Sequence, residues 1–419
     1  MAQILGKMIS AGATLIGSVL IARRFGVIAY GDFTKVITFV APFYLIADFG
    51  MNAIYLQKQS LETGKKSDTN DDWSTLVTLR IAGSLILLFI AVGVLSFLPH
   101  GNNQGYTSLV RLGIILFAPT IVFQSLLTTA NALFQKHLRY DLSAIAISTG
   151  ATIGILLLWI VTIVVSDALG VTASIGALGI GSFVAMMVAY MLSHRYATRI
   201  AFQSFSKHTL SFFVDAIPLG LTLIFNLVYF RIDSFILTLT RSTLEVGVYG
   251  FAYKIFEFPL AIPTFFMNAV YPLVLQTIRK NNGKISLSPP PLVVKSGRFL
   301  FISSLVVVLL FWFFSPLVSW VRPEFQASVA PLRVLSLGLP FFFLTSITMW
   351  TLVAYKKQSS LLGIYGLSML GNILANILFI PVYGYMAAAW ITVCSELCVL
   401  GLSWVAMRKL FVIRKSNNL

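Results

Sequence analysis

Lys35 and Lys254 are the residues whose type and place first ask for chemistry. Each stands five positions past the tyrosine of a Tyr-Gly pair, Tyr30-Gly31 and Tyr249-Gly250. Val36 and Phe39 follow the first and Ile255 and Phe258 the second at the same spacings, 219 positions on (Tyr249 against Tyr30). Both lysines lie about one turn inside a long apolar stretch. A charged side chain at the centre of a membrane helix costs about 2.5–3.5 kcal/mol on insertion scales, so each embedded charge is a site hypothesis. Snorkelling of the ammonium to the interface is the simplest account of one such lysine. It does not require the same position twice, and the repetition favours an inward, cation-lined lumen holding Lys35, Arg231 and Lys254. Arg231 and Asp233, two apart on a helix, point to roughly opposite sides and need partners elsewhere. Lys254 and Glu257, three apart, are placed to pair on one face. Asp48, Asp233 and Glu257 are the acids able to take a proton or hold a cation. Glu396 is also deep, and Asp215 reads as the wet start of a helix. Asn372 and Asn376 share one helix face and fit either interhelical hydrogen bonding or polar contact in a lumen.

Other constellations point nowhere. His100, His137, His194 and His208 are far apart and fall in loops or at helix ends, so no metal site is expected. Cys394 and Cys398 flank Glu396 and read as small apolar packing residues. Asp68, Asp71 and Asp72 read as a solvated loop. Gly64-Lys65-Lys66-Ser67 lacks the leading glycine of a phosphate loop, since Gln59 occupies its place. Neither an ATPase nor a cofactor site is expected, and the chain does not read as an enzyme.

The elements that position these charges are membrane helices. Hydrophobic residues make up 58% of the chain, charged residues 11%, and mean hydropathy is +0.88. Runs of about 20 apolar residues suffice to cross a bilayer. They fall at roughly 4–22, 31–56, 74–98, 107–134, 142–165 and 173–193, then 209–239, 246–275, 299–320, 330–355, 360–380 and 385–407. The prediction is an all-α polytopic protein of twelve helices, in two six-helix repeats (1–200 and 201–419) around a central cavity. Arg111, Pro119 and Lys136 are echoed by Arg333, Pro340 and Lys356/Lys357, and the basic stretch 194–208 is the linker. Pro42, Pro119, Pro218, Pro259, Pro263 and Pro340 are candidate kinks. Gly150-x3-Gly154 signals close packing. The net charge of +16 lies in clusters between apolar runs, which argues against nucleic acid and for topology. Nineteen loop lysines and arginines on one side face six on the other, which puts both termini in the cytoplasm. A duplicated membrane protein carrying duplicated buried charge is the common build of a secondary transporter.

At Ala22-Arg23-Arg24-Phe25-Gly26, Tyr30-Gly31-Asp32-Phe33 and Ala47-Asp48-Phe49-Gly50 the chain resembles bacterial lipid-linked oligosaccharide flippases of the O-antigen type. These are polysaccharide export proteins of the superfamily that also holds multidrug extruders and the lipid II flippase. Arg231-Ile232-Asp233 and Glu245-Val246-Gly247-Val248-Tyr249, followed by Ala252 and Lys254, continue the likeness. The motifs cover about a tenth of the chain. Two features depart from the family: Val27 stands where a proline is usual, and the amphipathic lead before helix 1 is missing, which suggests a short or truncated start. The resemblance implies two six-helix bundles around a V-shaped cavity. It implies outward movement of undecaprenyl-diphosphate-type lipid-linked oligosaccharide across the inner membrane by alternating access, for O-antigen, lipopolysaccharide, capsule or exopolysaccharide synthesis. Partners would be that lipid, surrounding membrane lipids and polymerase or export proteins, with H+ or Na+ coupling open. An inside-negative potential also favours outward movement of an anion, by about 2.3 kcal/mol per charge per 100 mV. A multidrug extruder shares the fold, but its cationic drugs call for acids dominating the lumen. A lipid II flippase carries two further helices. A membrane glycan polymerase or glycosyltransferase usually presents a larger outer loop.

Overall fold

The computed structural model describes residues 2–61, 68–101, 103–196, 207–280 and 289–412. Gly64-Lys65-Lys66-Ser67, most of the 194–208 linker and part of the basic 278–298 loop lie outside the described residues. Among those described, no strand forms beyond two isolated bridges, His100 with Gly105 and Gln104 with Ser242. The chain divides into two compact units, Met1–Gly247 and Val248–Leu419. The first holds α1 (Ala2–Asp48), α2 (Met51–Leu61), α3 (Asp68–Val94), α4 (Ser108–Phe117), α5 (Thr120–Lys136), α6 (Tyr140–Val164), α7 (Asp167–Ser193), α8 (Lys207–Thr240) and the start of α9 (Thr243–Glu257). The second holds the rest of α9, then α10 (Ala261–Lys280), α11 (Pro291–Phe314), α12 (Val318–Val321), α13 (Val329–Ser336), α14 (Leu339–Ala354) and α15 (Gln358–Val412).

Two of these helices are too long to be single crossings. α1 counts 47 residues, about 70 Å at the helical rise, against a hydrocarbon core of about 30 Å. It breaks at Gly26 (φ 85°, ψ −177°), a conformation in which a side chain would clash. Before the break, Arg24 Nε donates to Thr162 O at the end of α6 (3.0 Å). After it, residues 27–48 lead back to Asp48, which accepts from Arg80 of α3. α15 counts 55 residues and breaks at Gly384 (φ 61°, ψ −148°). Asn372 Nδ2 donates to Ser395 Oγ at 2.9 Å. In one straight helix these residues would stand about 35 Å apart, so Gly384 is a one-residue turn between antiparallel helices. Ten helical stretches are long and apolar enough to cross a membrane. The first and last each bend at a glycine within a stretch long enough for two crossings, which brings the described residues to about twelve.

The two units share backbone detail at the ends of α5 and α14. α5 ends with Leu138 left-handed (φ 56°), Arg139 N donating to Phe134 O at 2.8 Å and Leu138 N to Gln135 O at 3.0 Å. α14 ends with Lys356 left-handed (φ 57°), Lys357 N donating to Leu352 O at 2.9 Å and Lys356 N to Val353 O at 3.0 Å. Both are the paired-bond cap that satisfies a helix's last carbonyls, made here without glycine. Arg111 Nη2 reaches back to Leu98 O (2.8 Å), and Arg333 Nη2 to Trp312 O (3.1 Å). Each arginine ties the entry of one helix to the exit of the one before. Pro119 and Pro340 sit at the breaks that open α5 and α14.

Packing follows the sequence with one correction. A side chain at Gly150 of α6 would meet Ala185 and Gly181 of α7, the close approach its spacing predicted. Met51, Tyr55, Trp73, Leu76, Leu133, Phe212 and Ala216 share a core cluster in the first unit. Asp68, Asp71 and Asp72, read as a loop, lie in the first turns of α3, and Asp72 is buried.

Candidate functional site

Lys35 lies on the second limb of α1 with its side chain fully enclosed. Nζ donates to Thr243 Oγ1 at 2.6 Å and stands 3.6 Å from Asp32 Oδ1. Thr243 is itself held: its Oγ1 and its N donate to Asn103 O at 3.0 and 2.8 Å. Gln104 Nε2 donates to Leu239 O (2.9 Å) and Gly105 N to Thr238 O (3.1 Å). Residues 103–105 are thus stapled to the end of α8 and the turn into α9. Under them the helices cross at backbone contact, for a methyl on Gly31 would strike Thr243 O and one on Gly247 would strike Val27 O. Tyr106 fills their underside against Phe39 and Phe235, and burial raises its phenol pKa, keeping it neutral. Lys35, expected in a lumen, is therefore enclosed in this conformation with a threonine hydroxyl and Asp32.

At the other end of that limb the sequence reading passed over the central residue. Arg80 of α3 is completely buried. Its Nη1 donates to Ala47 O (2.9 Å), and its Nη2 to Asn52 Oδ1 (2.7 Å) and to Asp48 Oδ1. Asn52 Nδ2 donates onward to Thr128 O of α5 at 3.0 Å. Between Asp48 and Asn52 the helix breaks, with Phe49 (φ 41°) and Gly50 (φ 72°) left-handed. The guanidinium supplies the donors and the positive charge that a helix C-terminus lacks. An arginine alone inside the apolar run 74–98 was the signal available for finding it. Past the break, Lys58 Nζ pairs with Asp215 Oδ2 of α8 at 3.1 Å and lies 5.1 Å over the Phe212 ring. Phe49 stacks on Phe213 (5.4 Å, 9°). Asp215, read as a wet helix start, is the half-exposed partner of Lys58. Farther along α8, Arg231 is half-buried, while Asp233 is buried and accepts from Ser234 N at 2.6 Å.

In the second unit Lys254 Nζ lies 3.4 Å from Glu257 Oε2, both side chains partly exposed. Asn376 Nδ2 donates to Asn372 O and Oδ1, each at 2.8 Å, while Asn372 bonds Ser395 across the Gly384 turn. That pair binds helix to helix. Glu396 is buried beside it. Among the described residues no three His, Cys, Asp or Glu side chains gather to hold a metal ion. What the arrangement offers is fixed charge at membrane depth.

These features define an all-α, multi-pass membrane protein. The chain is similar in structure to the lipid II flippase MurJ in an inward closed conformation (TM-score 0.77, 16% identity, 97% of this chain and 88% of that one). It is similar to a multidrug resistance MATE family transporter of the MOP superfamily, inward-facing (0.71, 14%, 99% and 99%). It is also similar to a MOP superfamily transporter from Pyrococcus furiosus (0.58, 15%, 98% and 94%). Comparison with the curated proteins finds no match. The chain belongs to the family described as polysaccharide biosynthesis protein, whose model matches residues 1–278.

Proposed function

We propose that this protein moves a polyprenyl-diphosphate-linked oligosaccharide from the cytoplasmic to the outer leaflet of the bacterial inner membrane. Transport runs by alternating access and serves O-antigen, lipopolysaccharide, capsule or exopolysaccharide synthesis. The observation that carries this reading is a polysaccharide-biosynthesis family match lying on a fold shared with a lipid II flippase. The cations at membrane depth support it. A diphosphate crossing hydrocarbon unpaired is prohibitively costly, and charge-assisted hydrogen bonds from guanidinium and ammonium groups offset that cost. Arg231 and Lys254 are assigned to the phosphates, joined by Lys35 once Thr243 releases it. Asp48, Asp233 and Glu257 are assigned to coupling with H+ or Na+. The transport halves follow the repeat, residues 1–200 and 201–419, with both termini cytoplasmic. The protein transports and does not catalyse, and it works beside polymerase or export partners.

The test is a leaflet-resolved assay in vesicles reconstituted with undecaprenyl-diphosphate oligosaccharides of defined structure. The parent protein moves the lipid. Arg231→Glu repels the diphosphate and stops it, whereas Arg231→Lys keeps the charge, loses the planar fork and retains part of the rate. Equal transport by both variants would refute the electrostatic assignment. A parent that gives drug resistance and moves no glycan would be an extruder.

A further inference from the structure

We infer that the helical limb running from Lys35 to Lys58 is bolted to the α8–α9 segment at both ends, and that the two lysine latches open alternately. The inference rests on the transport reading for its purpose and on the first unit alone for its geometry. Asp215 and Thr240, which precedes the turn to Thr243, stand about 38 Å apart along the single helix α8, more than a hydrocarbon core, so the latches stand at opposite membrane faces. At one face Lys35 holds Thr243 Oγ1, beside the Gly31–Gly247 crossing and the stapled residues 103–105. At the other, Lys58 holds Asp215 Oδ2 beside the Phe49–Phe213 stack, and a methyl on Gly220 would strike the Phe49 ring. Both latches join the second helix of the first repeat to the first two helices of the second repeat. They therefore close the seam along which the repeats must part.

The chemistry of each end suits a contact that is made and broken. An ammonium has three donors, yet Lys35 has one hydroxyl at 2.6 Å and a carboxylate oxygen at 3.6 Å, outside hydrogen-bond reach. That oxygen, Asp32 Oδ1, is buried and makes no hydrogen bond. Both groups gain when the seam parts and water or an anion reaches them. The Lys58–Asp215 pair is partly exposed already, so opening costs it little. Between the latches the limb carries its own hinge, Phe49-Gly50, both left-handed and anchored by Arg80. The residues that lock one end can therefore move without unfolding the other.

The experiment uses the full chain with Cys394→Ser and Cys398→Ser, reconstituted, and an impermeant thiol reagent applied from one face at a time. Single reporters are T38C, buried one turn beyond Lys35, and A216C, buried beside Asp215. Lys58→Gln or Asp215→Asn should raise A216C labelling from the α2 face about two- to fivefold, the worth of a half-exposed pair, and lower T38C labelling from the loop face. Thr243→Val should raise T38C labelling about tenfold, as expected for a lost hydrogen bond to a charge, and lower A216C labelling. Lys58→Asp with Asp215→Lys should return both to the parent values. Labelling that stays flat, or rises at both faces together as in a loosened fold, would overturn the latches. Glycan movement is scored on the same vesicles. Reciprocal labelling without glycan movement would keep the latches and sink the substrate; glycan movement without reciprocity would sink the latches alone.

Discussion

Asp48→Ala tests whether Arg80 is held by its carboxylate or merely near it. Arg80 is fully buried, so removing Asp48 strands a guanidinium that keeps only Ala47 O and Asn52 Oδ1. Breaking a buried pair from one side costs about 3–5 kcal/mol. Asp48 keeps 28% of its side chain exposed and two acceptors remain, which places the expected loss near the low end, about 3 kcal/mol. Asp48→Asn keeps an acceptor without the charge and should lose about half as much. Adding Arg80→Met to Asp48→Ala removes the stranded charge. It should recover all but about 1 kcal/mol, the residue being the uncapped carbonyl of Ala47. The assay is reversible unfolding in mixed lipid–detergent micelles, followed by tryptophan fluorescence, since Trp73 packs against Tyr55 in the adjoining core. If Asp48→Ala lies within about 0.5 kcal/mol of the parent, or the double variant is no more stable than the single, the pair does not anchor the hinge.

Thiols at Asp167 and Glu324 should react with an impermeant reagent added outside the cell and thiols at Arg139 and Lys357 should not; the reverse pattern would invert the topology. Gly247→Ala should cost more than about 2 kcal/mol because its methyl meets the Val27 carbonyl. Gly176→Ala, which meets nothing within 4 Å, should gain up to about 1 kcal/mol from helix propensity, and equal effects of the two would refute the crossing. Leu138→Gly and Lys356→Gly should each stabilise by about 1 kcal/mol in thermal unfolding, since both relieve a side chain held left-handed. Opposite signs at the two sites would break the equivalence of the repeats.

Much of the scaffold was legible because membrane depth acts on sequence directly. The apolar runs fall in long apolar helices, and Pro119 and Pro340 marked breaks at equivalent places. Gly26 and Gly384 were not recognised as turns, because a glycine in apolar sequence looks the same whether it packs or reverses the chain. The charges were legible as a set and not as pairs. Lys254–Glu257 could be read from spacing alone, being local. Lys35–Thr243 and Arg80–Asp48 join residues far apart in sequence, and no periodicity reports such a contact. Asp215 looked like a solvated terminus because its partner, Lys58, belongs to another helix.

The one-residue turn at Gly384 bears on how the chain is made. As nascent chain leaves the ribosome, the helix carrying Asn372 and Asn376 would face lipid alone with two amides, and the next would bring Glu396 with it. Because the turn is so short, Ser395 meets Asn372 as soon as the second helix forms. The pair can then leave the translocon as one hairpin whose amides already have partners. A longer or mistimed connection would release two polar helices separately, each bearing its own insertion cost. A turn this short at Gly384 favours entry of the two helices into the membrane as one hairpin.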